Sequence, residues 1–127
     1  MNTTSSKKRV FVAFAMEDKV IRDFLVGQRD ASRSPFEFVD MSVDEPYPAE
    51  EWKQRVRTRI KGCAGVIVLV SASTLKASGQ LWEIKCALEE RKPILAIWAY
   101  RADRTLIPGL NVELWSDPNI IKFLENL

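Results

Sequence analysis

The chain has 127 residues, of which 46% are hydrophobic and 28% are charged, a balance typical of a globular protein with one well-buried core. Its net charge is only +2, which excludes the large basic field of a nucleic-acid-binding protein or of a protein held on an anionic membrane. The sequence has no histidine, so histidine-containing zinc sites, Ser-His-Asp triads and Cys-His dyads are excluded.

The pattern of apolar residues predicts alternating strands and helices. Residues 1–8 are polar and are expected to form a flexible tail, followed by one domain over residues 9–127. An almost continuous apolar run at 9–15 predicts a strand that is buried on both faces. It ends at Glu17, which makes the run too short for a signal peptide or a membrane span. We therefore expect a cytoplasmic protein with no membrane partner.

The remaining predicted elements follow from helical spacing, β-favouring runs and turn residues. In chain order they are a helix over 18–28, a strand over 35–40, a proline-containing loop over 41–48, a helix over 49–61, a strand over 64–71, a polar loop over 71–79, a helix containing Glu83, a strand over 94–99, a loop over 100–111, an edge strand near 112–115 and a last helix. Asp117 is the predicted N-cap of that last helix, with Pro118 at its first position. For Cys63 and Cys86, two buried reduced thiols are favoured over a disulfide.

This alternation predicts an α/β fold, because strands that are apolar on both faces need helices on both sides of a parallel sheet. We expect a three-layer, doubly wound parallel sheet of about five strands, of the flavodoxin-like type. Ligands of such sheets bind at the carboxyl ends of the strands, beside the topological switch point. Functional residues are therefore expected in the loops after Ala15, Asp40, Ser71 and Ala99.

The sequence of the first of these loops excludes two types of nucleotide-binding site. The turn 15-AMEDK-19 has no glycine, which excludes a P-loop and a GxGxxG fingerprint and leaves a flavin phosphate without the usual donors. A phosphoacceptor receiver domain needs an aspartate at the end of the third strand, where this chain has Ser71. Glu17 and Asp18 are predicted to be a charge pair at the start of a helix.

Glu83, within 78-SGQLWEIKCALEE-90, is the candidate catalytic residue. A glutamate near a helix start is usually a capping or dipole residue, but the capping-box position before it is Gln80, and an N-cap at Ser78 leaves Glu83 one turn too deep. On a helical wheel the predicted buried arc contains Leu81, Ile84, Ala87 and Leu88. Glu83 falls at its margin, where a carboxylate near the sheet edge can have a raised pKa. A solvated helix-start glutamate is the alternative.

The order of the segments resembles that of TIR-like (Toll/interleukin-1 receptor-like) domains, in particular the small TIR-like proteins of bacterial Thoeris antiphage defence. The segments are 9-RVFVAFAMED-18, 36-FEFVDMSVDEPY-47, 66-VIVLVSAS-73, 81-LWEIKCALEERKPILAIW-98 and the ending 115-WSDPNIIKFLENL-127. The resemblance covers nearly everything from Arg9 onward. Two departures stand out: Ala15-Met16 replaces the family's serine-tyrosine, and Trp82 directly precedes Glu83 instead of lying a full turn before it.

The resemblance implies an NAD⁺-consuming enzyme whose catalytic glutamate corresponds to Glu83. It also implies a cyclic ADP-ribose-type product that switches on a separate effector protein. Such chemistry requires no metal and no cofactor besides NAD⁺ as substrate, because nicotinamide leaves as a neutral amine and one carboxylate can stabilise the oxocarbenium-like state. Substrate contacts are expected from Phe14, Asp40, Ser71 and Trp82, each with a core, turn or cap role as the alternative.

Two other functions stay open at this point. One is a non-catalytic TIR-like or receiver-like module that signals by protein–protein assembly, to which the loop over 41–48 and self-association would contribute. The other is a flavin or nucleotide carrier, which would be isolated with a coloured or bound ligand.

Overall fold

The computed structural model of the chain describes residues 7–29, 35–41 and 49–127. The strands in these ranges are β1 Lys8–Ala13, β2 Phe36–Val39, β3 Gly65–Val70, β4 Ile94–Trp98 and β5 Val112–Glu113. The α-helices are α1 Lys19–Arg29, α2 Ala49–Lys61, α3 Ser78–Glu89 and α4 Asp117–Glu125, with 3₁₀ helices at Met16–Asp18 and Ala72–Lys76. Most of the predicted tail over 1–8 and of the loop over 41–48, including Tyr47, lies outside the described residues.

The described strands form one parallel sheet in the order β2-β1-β3-β4-β5. Val10 of β1, for example, lies opposite Phe38 of β2 and Gly65 of β3. The chain order reverses between β1 and β3, so the topological switch point lies between the ends of these two strands. The predicted doubly wound parallel sheet of about five strands is confirmed.

Helices cover both faces of the sheet, because successive side chains of a strand point to opposite faces. On one face, α2 and α3 pack against alternate residues of β3, among them Val66 and Val68. On the other face, the buried side chains of α1 and α4 pack against Ile67 and Leu69. All six residues of β3 are buried, as expected for the central strand of a three-layer fold.

The start of α4 differs from the predicted one by one residue. Ser116 is the N-cap, with extended backbone angles of φ −149° and ψ 152°, and its hydroxyl oxygen accepts a hydrogen bond from the backbone N–H of Asn119 at 3.2 Å. The prediction that Asp117 caps this helix is wrong, because Asp117 is already the first helical residue and Pro118 follows it inside the first turn.

Cys63 and Cys86 are both buried and free, as favoured from the sequence. Burial raises the pKa of the Cys63 thiol to about 11, so this group is a protonated thiol at neutral pH. Within the described ranges, every helix is too short or too polar to cross a bilayer.

Candidate active site

A cavity of about 270 Å³ opens at the carboxyl ends of β1 and β3, beside the switch point. Its walls come from the loop after β1, Met41 after β2, one side of α2, and the first turns of α3 with the residues before it. Its lining residues include Phe14, Met41, Trp52, Lys76, Gln80 and Glu83. This is the position in which open parallel sheets bind their ligands.

Glu83 lies inside the buried face of α3, with only 6% of its surface exposed. Ile84 and Ala87 of the predicted arc are buried, but the buried face is rotated from the predicted one and consists of Gln80, Glu83, Ile84, Cys86 and Ala87. Leu81 and Leu88, which were expected to be in the core, are 37% and 43% exposed. The polar Gln80 belongs to the buried face because it reaches backbone carbonyl groups at the strand ends, a contact that apolar spacing does not reveal.

The surroundings of Glu83 favour its protonated form. Burial raises its pKa well above the usual value, and the negative charge of Asp40 raises it further. Among the described residues none donates a hydrogen bond to this carboxyl group or pairs with it. A buried carboxyl group without a partner, facing a cavity, is the arrangement expected of a functional group rather than of a structural one.

Gln80 connects the ends of β1 and β3 at the floor of the cavity. Its side-chain nitrogen donates to the carbonyl oxygens of Ala13 at 3.1 Å and of Leu69 at 2.8 Å, which lie at the ends of β1 and β3. Its own amide oxygen is buried and has no partner in the described part of the chain. The sequence marks Gln80 only as an unsuitable capping residue, so this role is not predictable from it.

An aromatic wall of the cavity comes from Trp52 of α2. The ring lies against the first turn of α3 at Gly79, where an added Cβ would be 3.3 Å from the nearest ring carbon. Trp52 is recognisable in the sequence as part of the apolar face of α2, but nothing in that pattern indicates that it reaches the cavity.

The structure brings Phe14 and Glu83 into the same cavity and places Asp40 close by. Phe14 lines the cavity, and the guanidinium group of Arg22 lies 5.6 Å from the centre of its ring. Asp40 does not line the cavity, but it forms an ion pair with Arg22 and acts on Glu83 through its charge.

Ser71 lies beside the switch point but does not line the Glu83 cavity. Its hydroxyl group donates to Asp18 and accepts from the backbone N–H of Ser73 at 3.1 Å, so it caps the 3₁₀ helix that follows β3. Asp18 also accepts from the hydroxyl group of Tyr100 at 2.8 Å and is only 2% exposed. Glu17 and Asp18 lie at a helix start as predicted, in the 3₁₀ helix that precedes α1, but the burial of Asp18 and its two hydrogen bonds were not expected from the sequence.

Trp82 lines a neighbouring groove between α2 and α3, which shares Trp52, Ser78 and Gly79 with the Glu83 cavity. Its ring nitrogen donates to the carbonyl oxygen of Lys53 at 3.2 Å. The cationic groups of Lys53, Arg57 and Lys85 lie 4.9, 5.4 and 5.5 Å from the centre of the ring. These contacts are typical of cation–π packing.

Across the described ranges, no three acidic or cysteine side chains are grouped as a metal site requires.

Comparison with protein families matches residues 11–104 to the family described as Thoeris protein ThsB, TIR-like domain. Comparison with curated proteins gives no match. Among solved structures, a diflavin flavoprotein A3 from Nostoc sp. superimposes with a TM-score of 0.50 and 13% sequence identity, over 95% of this chain and 72% of that chain. At this identity the likeness shows a shared fold and nothing about ligands.

Proposed function

The chain belongs to the TIR-like domain family of Thoeris protein ThsB, and on that premise we propose that it is a cytoplasmic NAD⁺-consuming enzyme with Glu83 as its catalytic carboxylate. It cleaves the bond between nicotinamide and ribose and makes a cyclic ADP-ribose-type signal that activates a separate effector protein in antiphage defence. The observation that carries this proposal is the buried, unpartnered carboxyl group of Glu83 in a cavity at the switch point.

The size and walls of the cavity suit one end of NAD⁺. A volume of about 270 Å³ is at the lower limit of small-molecule sites, so we propose that the nicotinamide and its ribose enter it while the adenosine half stays outside. The rings of Phe14 and Trp52 offer aromatic surfaces against which the nicotinamide ring can pack.

The charge of the substrate fits the environment of Glu83. In the free enzyme, burial and Asp40 favour the protonated carboxyl group. The nicotinamide ring of NAD⁺ carries a positive charge, and a positive charge close to a buried carboxyl group lowers its pKa. Bound NAD⁺ would therefore convert Glu83 to the carboxylate at the place where the reaction develops positive charge.

The reaction requires neither a metal ion nor an acid that protonates the leaving group. The bond between ribose C1′ and the nicotinamide nitrogen breaks, and its electron pair leaves with the nitrogen, which becomes neutral. The Glu83 carboxylate stabilises the positive charge that passes to the ribose. An acceptor atom on the same ADP-ribose then bonds to C1′, and the proton of this acceptor passes to the Glu83 carboxylate, which returns to the protonated form that its surroundings favour. Cyclisation outpaces hydrolysis where the acceptor is held close and water is excluded.

The test is to incubate NAD⁺ with purified wild-type and Glu83→Gln protein and to measure nicotinamide and nucleotide products by mass spectrometry, with the same measurement on phage-infected cells. We expect Glu83→Gln to reduce product at least about a hundredfold, the loss typical of removing one electrostatic stabiliser. Glu90→Gln, the same change at the residue that follows α3, is the control; it removes only an ion pair with Arg57 and keeps activity.

Two outcomes would contradict the proposal. Wild type and Glu83→Gln that are equally inactive in infected cells would remove the enzyme interpretation. A Glu83→Gln protein that still protects cells from phage would favour the non-catalytic assembly module instead.

A further inference from the structure

A cavity of about 640 Å³ lies at the carboxyl end of β4, between α1 and α4. It shares no lining residue with the cavity that contains Glu83. Its volume is within the range of small-molecule sites, and it lies along the same edge of the sheet, where α/β proteins bind ligands. Its walls combine aromatic rings with arginine side chains, which is the composition of a ligand site rather than of a packing defect.

The aromatic walls form a place for a planar ring. Phe24 is 58% exposed, and the centre of its ring lies 6.3 Å from that of Trp115. Trp98 is held in orientation because its ring nitrogen donates to the carbonyl oxygen of Thr105 at 2.8 Å. Large aromatic rings on an open surface are costly to leave in water, so a flat heteroaromatic ligand that covers them is favoured.

The charged walls favour an anion. Arg101 and Arg104 line the cavity, and no aspartate or glutamate of the described part of the chain does. Within the described residues neither arginine forms an ion pair, although the guanidinium group of Arg104 lies 4.7 Å from the ring centre of Trp98. Two guanidinium groups that line one cavity have the charge and the hydrogen-bond donors that bind a phosphate group. The hydroxyl group of Ser116 lines the same cavity; it accepts from Asn119 and keeps its own proton to donate.

We propose that this cavity is a second ligand site, for a phosphorylated compound with a planar heteroaromatic ring. The ring lies against Phe24, Trp98 and Trp115, and the phosphate group is bound by Arg101 and Arg104. Nucleoside monophosphates have both features, whereas a nucleoside lacks the anion and inorganic phosphate lacks the ring.

The probe for this site is AMP, with adenosine and inorganic phosphate as the two partial probes. Affinities are measured by calorimetry, and the site is located by amide chemical shifts in ¹⁵N-labelled protein. We expect AMP to shift amide signals of residues 98–104 and 114–116 and to bind at least about tenfold more tightly than either partial probe. The Glu83→Gln protein serves equally well because no turnover is needed, so the result is independent of the proposed enzyme activity.

The decisive variant is Arg101→Ala/Arg104→Ala, which changes two exposed side chains and should weaken AMP binding at least about tenfold. The matched control, Lys53→Ala/Lys85→Ala, removes the same charge beside Trp82 and should leave the AMP affinity unchanged. The proposal is overturned by absent AMP binding, by equal AMP affinities in the two double variants, or by AMP-induced shifts at residues 14–17 and 76–83 instead. Concentration-dependent shifts at residues 98–104 without any probe would show that a second copy of the chain covers this surface, and would also overturn it.

Discussion

Trp82 and Glu83 are consecutive residues of α3, yet their side chains line different cavities. Successive residues of an α-helix are rotated by about 100°, so a tryptophan directly before a buried glutamate points in a different direction, although Trp52 lies between the two cavities and lines both. The tryptophan that lines the Glu83 cavity is Trp52 of α2.

This arrangement predicts different effects for the two tryptophans. Trp52→Leu removes a wall of the proposed NAD⁺ site and should raise the KM for NAD⁺ at least about tenfold. Trp82→Leu removes a ring that packs against cationic side chains and should leave the KM near the wild-type value. The measurement is steady-state nicotinamide release, with circular dichroism to confirm that both variants are folded. Equal KM values in the two variants would count against the placement of NAD⁺ beside Trp52.

The raised pKa of Glu83 predicts that Glu83→Gln is more stable than wild type at neutral pH. The native protein keeps a proton on Glu83 that the unfolded chain releases above its usual pKa of 4.5. The wild type therefore loses stability as the pH rises from about 4.5 toward the pKa of the folded state, whereas the glutamine variant does not. One pKa unit corresponds to about 1.4 kcal/mol, which is several degrees in Tm for a domain of this size.

Thermal unfolding at several pH values measures this effect. We expect the Tm of Glu83→Gln to exceed that of wild type by at least about 4 °C at pH 8 and by much less at pH 5. Glu113→Gln, an exposed change on β5, is the control and should change the Tm by less than about 2 °C at either pH. A Tm difference for Glu83→Gln that is the same at both pH values would show that ionisation of Glu83 is not its cause.

Asp18 joins three loops at the carboxyl edge of the sheet, because it accepts hydrogen bonds from Ser71 after β3 and Tyr100 after β4 while lying after β1 itself. Asp18→Asn replaces a charged acceptor by an amide and should lower the free energy of unfolding by about 1.5–3 kcal/mol, measured by urea denaturation. Tyr100→Phe removes one of the two bonds and should cost about 1 kcal/mol. The double variant should lose less free energy of unfolding than the sum of the losses of the two single variants, since both changes affect the hydrogen bond between Tyr100 and Asp18. Full additivity would show that this hydrogen bond contributes nothing to stability.

The N-cap of α4 gives a fourth prediction. Ser116→Ala removes the oxygen that accepts from the N–H of Asn119 and should lower the free energy of unfolding by about 1 kcal/mol. Ser116→Thr keeps a hydroxyl oxygen in the same place and should lose less than half of that. A similar loss in both variants would indicate that packing, and not capping, determines the effect.

Local patterns predict the fold because both-face apolar strands such as β3 leave few alternatives to a helix-covered parallel sheet. The same patterns place Glu83 near the carboxyl edge. They do not predict the rotation of α3, since that depends on Gln80 meeting the carbonyl oxygens of Ala13 and Leu69. Nor do they predict that Asp18 is buried, because its partners are 53 and 82 residues away along the chain.

The hydrogen bonds of the Gln80 side chain restrict motion of the strand ends. One amide group binds a carbonyl group near the end of each of the neighbouring strands β1 and β3, so these strand ends cannot separate without breaking buried hydrogen bonds. The base of the Glu83 cavity is therefore stiff. Any widening that admits a ligand has to come from the helical side, where the ring of Trp52 packs against Gly79.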